Sequence, residues 1–385
     1  MRFSVDAHAI GCHLTGNEVY IRSLLHAFAA ADSSAEFIAY VSQEQAAGMV
    51  PARFAWRRVS RNPFARLGYD LSRVLRKDLP DLLHVQYTAP LFCPVPVVVS
   101  VHDVSFLEHP EYFAAARAAQ LRLTVRRTIR RATRIITVSE FSRSAISRAY
   151  QLSEDKIAVV PNAAAAIYRP LPRETASAWV RAHLKIAAPF ILNVGDLQPR
   201  KNQAGLIRAF GEMIRACPQL PHHLVLAGQE NWHGSDVRRT AERSGLAGRI
   251  HFTGFVSDDA LLQLYNACEF FVFPSFYEGF GLPVLEAMAC GRAVACSNTS
   301  AVHEVADSAA ILFNPHDTAE ITRAMLDLAR IPDLRSRMER LGSQRSSQFS
   351  WRRAAEKTLD VYYSVARSRS VVRRARMTSA SVSNS

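Results

Sequence analysis

Two glutamates eight residues apart, Glu278 and Glu286, carry the strongest chemical signal in this sequence, in the stretch FYEGFGLPVLEAMACG at 276–291. Paired carboxylates beside a glycine turn suit two kinds of chemistry. They can transfer protons as a general acid and base, or they can accept hydrogen bonds from the hydroxyls of a polar ligand. The secondary structure predicted around the two glutamates distinguishes between these interpretations.

The proline and the glycines around the glutamates predict a helix that separates them. Pro283 is typical of a first helical position and Gly291 of a helix end, so the first glutamate lies on a loop and the second about one turn inside the helix. The backbone amides of Gly281 and Leu282 are free at the helix start and can bind a phosphate. A carboxylate buried beside them needs hydroxyl partners, which favours ligand binding.

A second stretch, NVGDLQPRKNQAGL, combines a strand end, two cations and a helix start. Gly195 ends the predicted strand, and Arg200 and Lys201 precede Asn202, which suits an N-cap. Two cations beside a helix N-terminus form a site for a diphosphate. The alternative is a solvated basic loop.

Two strand ends in the first half of the chain carry further candidates. In LTGNEVYIRSLL, Gly16 allows the backbone close to a ligand at a helix N-terminus, although a turn glycine is the simpler explanation. In VSVHDVSF, His102 and Asp103 follow a buried valine run, where a histidine can donate to or orient a reacting group. The alternative is a structural histidine.

The elements that must position these residues alternate between strand and helix. Runs such as EFIAYV, RIITVS and FILNVG are typical of parallel strands covered on both faces, and helical patterns such as NQAGLIRAFGEMIRAC separate them. The proline-containing segment 169–175 predicts a linker. The sequence therefore predicts an α/β fold with two doubly wound parallel-sheet domains, 1–170 and 171–350, and a ligand at the strand ends in a cleft between them. A last helix at 351–366 and a basic, disordered tail at 367–385 follow.

The composition is that of a globular protein with a large positive charge. The 385 residues carry a net charge of +13, which predicts an anionic partner. No apolar run reaches the roughly 18 residues of a membrane span, and the first residues lack the apolar core of a signal peptide. Six scattered cysteines fit reduced thiols. We therefore expect a cytoplasmic protein.

Part of that charge is concentrated in residues 112–139, which contain seven arginines and no acidic residue. At helical spacing these arginines form two stripes, Arg126, Arg130 and Arg134 in one, and Arg127 and Arg131 in the other. A basic amphipathic helix can lie on an anionic lipid surface. The alternative is a solvated helix face.

Taken in order, the motifs resemble those of glycosyltransferase family 4, whose members are retaining enzymes with the GT-B fold. EGFGLPVLEAMACG resembles the family's Glu-x7-Glu motif, GDLQPRKN its phosphate-binding segment, the His-Asp pair its active-site histidine, and LTGNEVYIRSLL its glycine loop. The resemblance spans residues 1–366. It implies retaining transfer of a hexosyl unit from GDP-mannose or a UDP-hexose to a glycan or lipid-linked acceptor in envelope polysaccharide or glycolipid synthesis. It also implies that the helix from Trp351 returns to the first domain.

The resemblance further implies a role for each site residue. Glu278 binds hydroxyls of the donor sugar, and Glu286 binds those of the ribose. Arg200 and Lys201 neutralise the leaving diphosphate, and His102 lies beside the donor sugar near the reacting carbon. The remaining nucleotide contacts come from the glycine loop, the strand ends and the turn at 254–256: Gly16, Gly195, Gly228, Val256, Gly281 and Leu282.

One departure from the family falls in the glycine loop, where Glu18 occupies the position of a second glycine. Asn17, Glu18 and Asp103 are therefore predicted only to lie near the acceptor or the phosphate. Because cations and helix N-termini can stabilise charge on the leaving group, and the sequence has no Asp-x-Asp segment, no metal or other cofactor is expected. Departure and attack on one face of the sugar is favoured over a covalent intermediate, since no nucleophile follows from the sequence.

Three rival functions stay open. A nucleic-acid-binding protein fits the sequence pI of about 9.8, but the arginines lack interleaved aromatic residues and no RNA-binding motif is present, so no nucleic acid is expected as a partner. A catalytically inactive nucleotide-sugar binding protein would keep the fold without the chemistry. A nucleotide-sugar epimerase would keep the fold with another reaction. If the protein is the transferase, we expect it to be a peripheral protein at the inner face of the cell membrane.

Overall fold

The computed structural model describes residues 1–12, 15–186, 189–230 and 234–382. The chain forms two compact units. Unit 1 comprises Met1–Asn162 and Trp351–Ser385, and unit 2 comprises Ala163–Ser350.

Strands and helices alternate along the chain, as predicted. Within the described residues the strands are β1 (Arg2–Asp6), β2 (Glu36–Val41), β3 (Ala55–Arg58), β4 (Leu82–Gln86), β5 (Val97–Ser100), β6 (Arg134–Thr137), β7 (Ile157–Val159), β8 (Phe190–Val194), β9 (His223–Ala227), β10 (Ile250–Gly254), β11 (Phe270–Phe273), β12 (Val294–Ser297) and β13 (Ile311–Phe313). The α-helices are α1 (Thr15–Ala31), α2 (Pro63–Ala65), α3 (Leu71–Asp78), α4 (Ser105–Glu108), α5 (Ala115–Arg131), α6 (Glu140–Tyr150), α7 (Arg173–Leu184), α8 (Gln203–Ala216), α9 (Gly234–Arg243), α10 (Asp258–Ala267), α11 (Leu282–Ala289), α12 (Ser300–Ala306), α13 (Thr318–Arg330), α14 (Pro332–Ser346) and α15 (Trp351–Val382).

Each unit contains one parallel sheet whose strand order reverses once. The order is β3-β2-β1-β4-β5-β6-β7 in unit 1 and β10-β9-β8-β11-β12-β13 in unit 2, and the pairings are parallel in both. The reversal falls between β1 and β4 in unit 1, and between β8 and β11 in unit 2. Loops at the carboxyl ends of these strand pairs diverge to opposite faces of the sheet, which opens a crevice for ligands. We call these places the unit 1 and unit 2 switch points.

Unit 1 is completed by the last helix of the chain. Helix α15 packs against α1, and its Tyr362 ring lies 5.1 Å from the Phe3 ring of β1 and 5.5 Å from the Phe28 ring of α1. All three side chains are fully buried. Burial of each ring stabilises the unit by about 2–3 kcal/mol, so α15 is part of the unit 1 core.

Unit 2 begins earlier than the predicted linker. The buried side chain of Asn266 in α10 accepts a hydrogen bond from the Leu171 amide and donates one to the Arg169 carbonyl, and α7 packs against α10. The two prolines of the segment at 169–175 correctly predicted irregular backbone. That backbone is not a free linker, because it is hydrogen-bonded to unit 2. The boundary between the compact units lies instead at Asn162.

Strand β3, strand β13 and helix α15 differ from the sequence prediction. Strand β3 was not predicted, because all four of its residues are exposed and give no apolar run. Strand β13 was missed because it has three residues. Helix α15 continues to Val382 and covers most of the segment predicted to be a disordered tail, since residues 367–382 contain neither glycine nor proline to end it. None of the described helices combines the length and apolar character needed to span a bilayer.

Candidate active site

Three charged side chains meet at the unit 2 switch point. The Arg200 guanidinium lies 2.8 Å from Oε2 of Glu278, and the Lys201 ammonium lies 2.7 Å from Oε1 of the same carboxylate. The two cations follow β8 and the carboxylate follows β11, so they come from the two loops that flank the reversal of strand order. The structure thus brings the RKN and EGFG motifs into direct contact.

The backbone holds this cluster in place on both sides. The Phe276 amide donates to the Arg200 carbonyl over 2.9 Å, and the Glu278 amide donates to Ser300 Oγ over 3.0 Å. Asn202 follows in the left-handed region at φ 54° and begins α8. Its side chain donates to the Pro315 carbonyl and makes no cap, so the N-cap position was predicted correctly but the capping bond was wrong.

Burial shapes the charges of the cluster. Glu278 is 7% exposed and Lys201 is 9% exposed. Burial lowers the pKa of the Lys201 ammonium, which also lies 4.9 Å from the Phe273 ring. Burial alone would raise the pKa of Glu278, but Arg200 and Lys201 outweigh it and hold that pKa below its usual value. The cluster therefore holds two cations against one carboxylate, whose two oxygens have more lone pairs than Arg200 and Lys201 use.

The second glutamate of the motif lies in a different environment. Glu286 is inside α11, as predicted, with Leu282 as the first helical residue and Pro283 as the second. Its Oε2 accepts a hydrogen bond of 2.8 Å from the hydroxyl of Tyr265. Burial raises the pKa of Glu286 to about 7. One glutamate is thus fixed as an anion, and the other titrates near neutral pH.

Glycines line the strand ends beside the cluster. A Cβ on Gly228 would come 2.1 Å from the Gly195 carbonyl oxygen, so the ends of β8 and β9 approach each other only without a side chain there. Gly281 at φ +117° forms the N-cap of α11. The amide of Leu282 at the helix start has no intrahelical partner, whereas the Val284 amide already donates to the Gly281 carbonyl over 3.0 Å. Val256, predicted beside the base, is half-buried just after β10.

At the unit 1 switch point, Gln86 fixes the ring of His102. The Gln86 amide nitrogen donates to the Asn17 carbonyl over 3.2 Å, which directs its Oε1 towards His102 Nε2 at 3.0 Å. Since Oε1 can only accept, Nε2 carries the imidazole proton and Nδ1 is left as an acceptor. Burial lowers the pKa of His102 to about 4, so the ring is neutral at physiological pH.

A buried hydrogen-bonded chain supports the same ring. Tyr20, whose ring lies 4.6 Å from that of His102, shares a hydrogen bond of 2.8 Å with Ser100 Oγ. Ser100 Oγ is 2.7 Å from His84 Nε2, and His84 Nδ1 is 2.5 Å from the Tyr362 hydroxyl. His102 is therefore positioned by residues of α1, the sheet and α15.

The other candidates of the first half take local structural positions. Gly16 is exposed inside the first turn of α1 with open space around it, so no described contact requires a glycine there. Glu18 accepts a hydrogen bond from the Gly11 amide over 2.8 Å. Asp103 accepts from the amide and the hydroxyl of Ser105 and so initiates α4. Leu14, within the predicted glycine loop, lies outside the described residues.

The predicted basic stripes are only partly present. Arg134 is not on the helix, because α5 ends at Arg131 and the β-branched sequence that follows forms β6. The side chains of Arg127 and Arg131 contact the segment that precedes β5, where both donate to the Leu91 carbonyl. Arg126 and Arg130 line a groove of about 660 Å³, together with Arg122, Leu123, Tyr150 and Leu152 among others.

Gln86 and Tyr265 were missed by the sequence prediction. A strand-end glutamine and a helical tyrosine are common in any α/β protein, and only the fold reveals that they bind His102 and Glu286. The described residues contain no group of three or more His, Cys, Asp or Glu side chains that could hold a metal ion.

Comparisons with known proteins identify the family of the chain. The family model for glycosyltransferase family 4 matches residues 14–164, and that for glycosyl transferases group 1 matches residues 188–330. The O-antigen chain mannosyltransferase B of Escherichia coli is 32% identical over 265 residues, 69% of this chain and 69% of its own length.

Solved structures match over nearly the whole chain. Sucrose-phosphate synthase (tll1590) from Thermosynechococcus elongatus has a TM-score of 0.76 at 19% identity, covering 94% of this chain and 98% of that one. Alr3699/HepE of Anabaena, solved in complex with UDP-glucose, has a TM-score of 0.74 at 20% identity, covering 94% and 99%. At these identities the two structures show the fold alone. The chain belongs to glycosyltransferase family 4, the glycosyl transferases group 1, and has the GT-B fold predicted from its sequence.

Proposed function

We propose that the protein transfers a hexosyl unit, with retention, from GDP-mannose or a UDP-hexose to a glycan or lipid-linked acceptor. The observation that carries this proposal is the buried Arg200–Lys201–Glu278 cluster at the unit 2 switch point. Its surplus positive charge suits a diphosphate, and its carboxylate suits sugar hydroxyls. The similarity to an O-antigen mannosyltransferase supports a role in polysaccharide synthesis.

In the proposed reaction, the bond between the anomeric carbon and the diphosphate oxygen breaks, and its electron pair leaves with the diphosphate. Arg200 and Lys201 stabilise the charge that grows there, which is the largest contribution expected of such a site. The acceptor hydroxyl oxygen bonds to the anomeric carbon on the same face, and its proton passes to the departing phosphate oxygen. No metal enters this scheme, because the two side chains supply the positive charge.

Glu278 has a second task before the donor arrives. The buried Lys201 and the half-buried Arg200 would repel each other without a counterion and destabilise the fold. The carboxylate neutralises them in the free protein, and its remaining lone pairs accept from donor-sugar hydroxyls in the complex. Glu286 is proposed to bind the ribose diol, and His102 to accept, through Nδ1, a hydroxyl of the donor sugar.

The basic groove on α5 supports a location for the acceptor. Arg126 and Arg130 are exposed and share the groove with the apolar side chains of Leu123 and Leu152. Charged and apolar groups side by side match an anionic lipid surface. We propose that this face of unit 1 binds the membrane that carries a lipid-linked acceptor.

A panel of nucleotide sugars tests the proposal. A donor that binds only the folded state raises the melting temperature by mass action, so we expect a shift with GDP-mannose or one UDP-hexose, and a smaller shift for the double variant Arg200→Ala/Lys201→Ala. Glycosyl transfer or slow donor hydrolysis should accompany binding. Binding without either reaction would favour an inactive nucleotide-sugar binding protein. Salt-sensitive RNA binding without any nucleotide-sugar shift would favour a nucleic-acid-binding protein.

A further inference from the structure

The unit 1 switch point holds a second polar cluster that the donor chemistry leaves unused. Asp6, the last residue of β1, is 1% exposed. Its Oδ1 accepts from the amide of His8 at 3.3 Å and lies 3.0 Å from His8 Nδ1. Its Oδ2 lies 3.8 Å from Nε of Arg66, a buried residue in a π-helical turn after β3.

This pairing selects one form of the His8 ring. Burial would raise the pKa of Asp6, but His8 and Arg66 outweigh it and hold the pKa below its usual value. A carboxylate only accepts, so Nδ1 of His8 carries a proton, and in the neutral ring Nε2 presents its lone pair. Among the described residues no group donates to Nε2, and the His8 side chain is 21% exposed.

The loop that carries His8 is held rigidly. The His8 carbonyl accepts from Ser42 Oγ at 2.9 Å and from Cys12 Sγ at 3.1 Å. The Gly11 carbonyl accepts from the Gln43 side chain, and the Gly11 amide donates to Glu18. A histidine with a purely structural task is usually buried with both nitrogens bonded. His8 has a fixed ring and backbone, but no group in the described part of the chain donates to its Nε2.

The charges around Nε2 restrict its ligand. Asp6 lies directly behind the ring, and a neutral imidazole lone pair repels an anion. A hydroxyl donates a proton and carries no charge, so it suits Nε2 where a phosphate or carboxylate does not. The position at the carboxyl ends of β1 and β4 is where a doubly wound sheet binds its ligands.

We propose that His8, oriented by Asp6, binds a hydroxyl group of the acceptor sugar through Nε2. This inference rests on the proposed function, because it assigns an acceptor to the unit that does not contain the diphosphate site. His8 positions the acceptor and takes no proton from it, since the proton passes to the departing phosphate oxygen.

Three variants separate the two ring nitrogens. His8→Asn keeps a donor near Nδ1 for Asp6 but has no atom at Nε2. His8→Gln places a carbonyl oxygen near Nε2, and His8→Phe keeps the ring volume without either nitrogen. The assay uses the nucleotide sugar accepted by the wild type and a panel of octyl hexosides as acceptors, with the KM for the best hexoside as the measurement.

We expect His8→Asn and His8→Phe to raise the KM for the hexoside about tenfold, the factor that one hydrogen bond provides. His8→Gln should restore part of that loss. The melting-temperature shift produced by the donor should be unchanged in all three variants, since none of the proposed donor contacts involves His8.

Other outcomes overturn the inference separately from the proposed function. An unchanged KM in His8→Asn and His8→Phe would show that Nε2 contacts no acceptor. If these variants also lost the melting-temperature shift produced by the donor, His8 would have a structural or donor-binding role instead. A wild-type protein that hydrolyses the donor but transfers to no hexoside would refute the acceptor class. Absence of both transfer and hydrolysis would overturn the proposed function itself.

Discussion

The two switch points occupy equivalent places in two similar sheets, yet their chemistry is opposite. In unit 2 the crevice contains paired cations and a carboxylate, Arg200, Lys201 and Glu278. In unit 1 it contains the neutral His102 ring held by Gln86, and the Asp6–His8 pair beside it. Arg66 also lies there, but Asp6 offsets its charge.

Under the proposed function, this difference lets one topology serve two substrates. The strands give each unit a crevice at the same place, and the loops that follow the strands decide what it binds. A departing diphosphate needs fixed positive charge, whereas uncharged hydroxyls need oriented lone pairs.

The largest effect is expected where charge is removed from the unit 2 switch point. Lys201→Ala should lower kcat by about a hundredfold or more, because the leaving diphosphate loses a cation that acts in the transition state. Steady-state rates with saturating donor measure this. Arg208→Ala is the control, since it removes one exposed charge from the adjacent α8 and should leave kcat unchanged. A near-wild-type rate for Lys201→Ala would falsify the leaving-group assignment.

The next effect concerns the orientation of His102 in unit 1. Gln86→Leu removes the acceptor for Nε2–H, so kcat should fall between about tenfold and a hundredfold, while GDP or UDP binding to unit 2 stays unchanged. Gln86→Glu places a negative charge within 3.0 Å of the ring in the present geometry, which should raise the pKa of His102 from about 4.

The pH–rate profile distinguishes positioning from simple packing. Because the neutral ring is the competent form, the acid limb of the Gln86→Glu profile should move towards neutral pH. Lower melting temperatures with an unshifted profile in both variants would leave Gln86 as a packing residue only.

A smaller effect separates the two glutamates of the motif. The pKa of Glu286 is raised to about 7, so donor affinity should rise up to about tenfold between about pH 6 and about pH 8 as the carboxylate forms and accepts the ribose hydroxyls. Glu286→Gln keeps the acceptor for Tyr265 and should bind the donor weakly at both pH values. An equally steep pH dependence in Glu286→Gln would assign the titration to another group.

The raised pKa of Glu286 also makes the free energy of unfolding depend on pH. A carboxyl whose folded pKa exceeds its usual value stabilises the fold below its unfolded pKa and loses that contribution as the pH rises through about 7. The unliganded Glu286→Gln variant should therefore be more stable than the wild type at about pH 8, by on the order of 3 kcal/mol. Urea unfolding at two pH values measures this difference.

The smallest effect concerns the basic groove. Arg126→Ala should weaken binding to vesicles of equal parts phosphatidylglycerol and phosphatidylcholine about fivefold, since a basic residue near an anionic surface contributes about 1 kcal/mol. Cosedimentation at low and high salt measures this, and high salt should reduce the difference. Arg323→Ala on an exposed position of α13 is the charge-matched control. Equal vesicle binding by both variants would argue against a membrane-facing groove.

The parts of the fold that the sequence predicted are those with a strong local signal. Strands β2 and β8 match their apolar runs, because a strand covered on both faces shows its burial directly in composition. Strand β3 is exposed along its length and gives no such signal. The end of α5 was misplaced because arginine spacing continues past Arg131, whereas the helix does not.

The site was predicted unevenly for a related reason. The sequence placed Arg200 and Lys201 in one motif and Glu278 in another. Their direct contact depends on which strands are neighbours in the sheet, and local residue spacing does not predict strand order. Gln86 and His8 gave no motif at all. The hydrogen bonds of Gln86 to Asn17 and His102 exist only once β4 lies between β1 and β5. The bond between His8 and Asp6 is local, but the position of this pair at the switch point depends on the same strand order.

The return of α15 to unit 1 has a consequence for how the protein is made. Residues 163–350 form unit 2 without help from either end, so unit 2 can fold on the ribosome as soon as its own residues emerge. Phe3 and Phe28 must wait for Tyr362, which at ordinary rates of translation is synthesised roughly ten to forty seconds after the first part of unit 1. During that interval the nascent chain presents an apolar surface that chaperones can recognise, so the last helix sets the time of completion for the first unit.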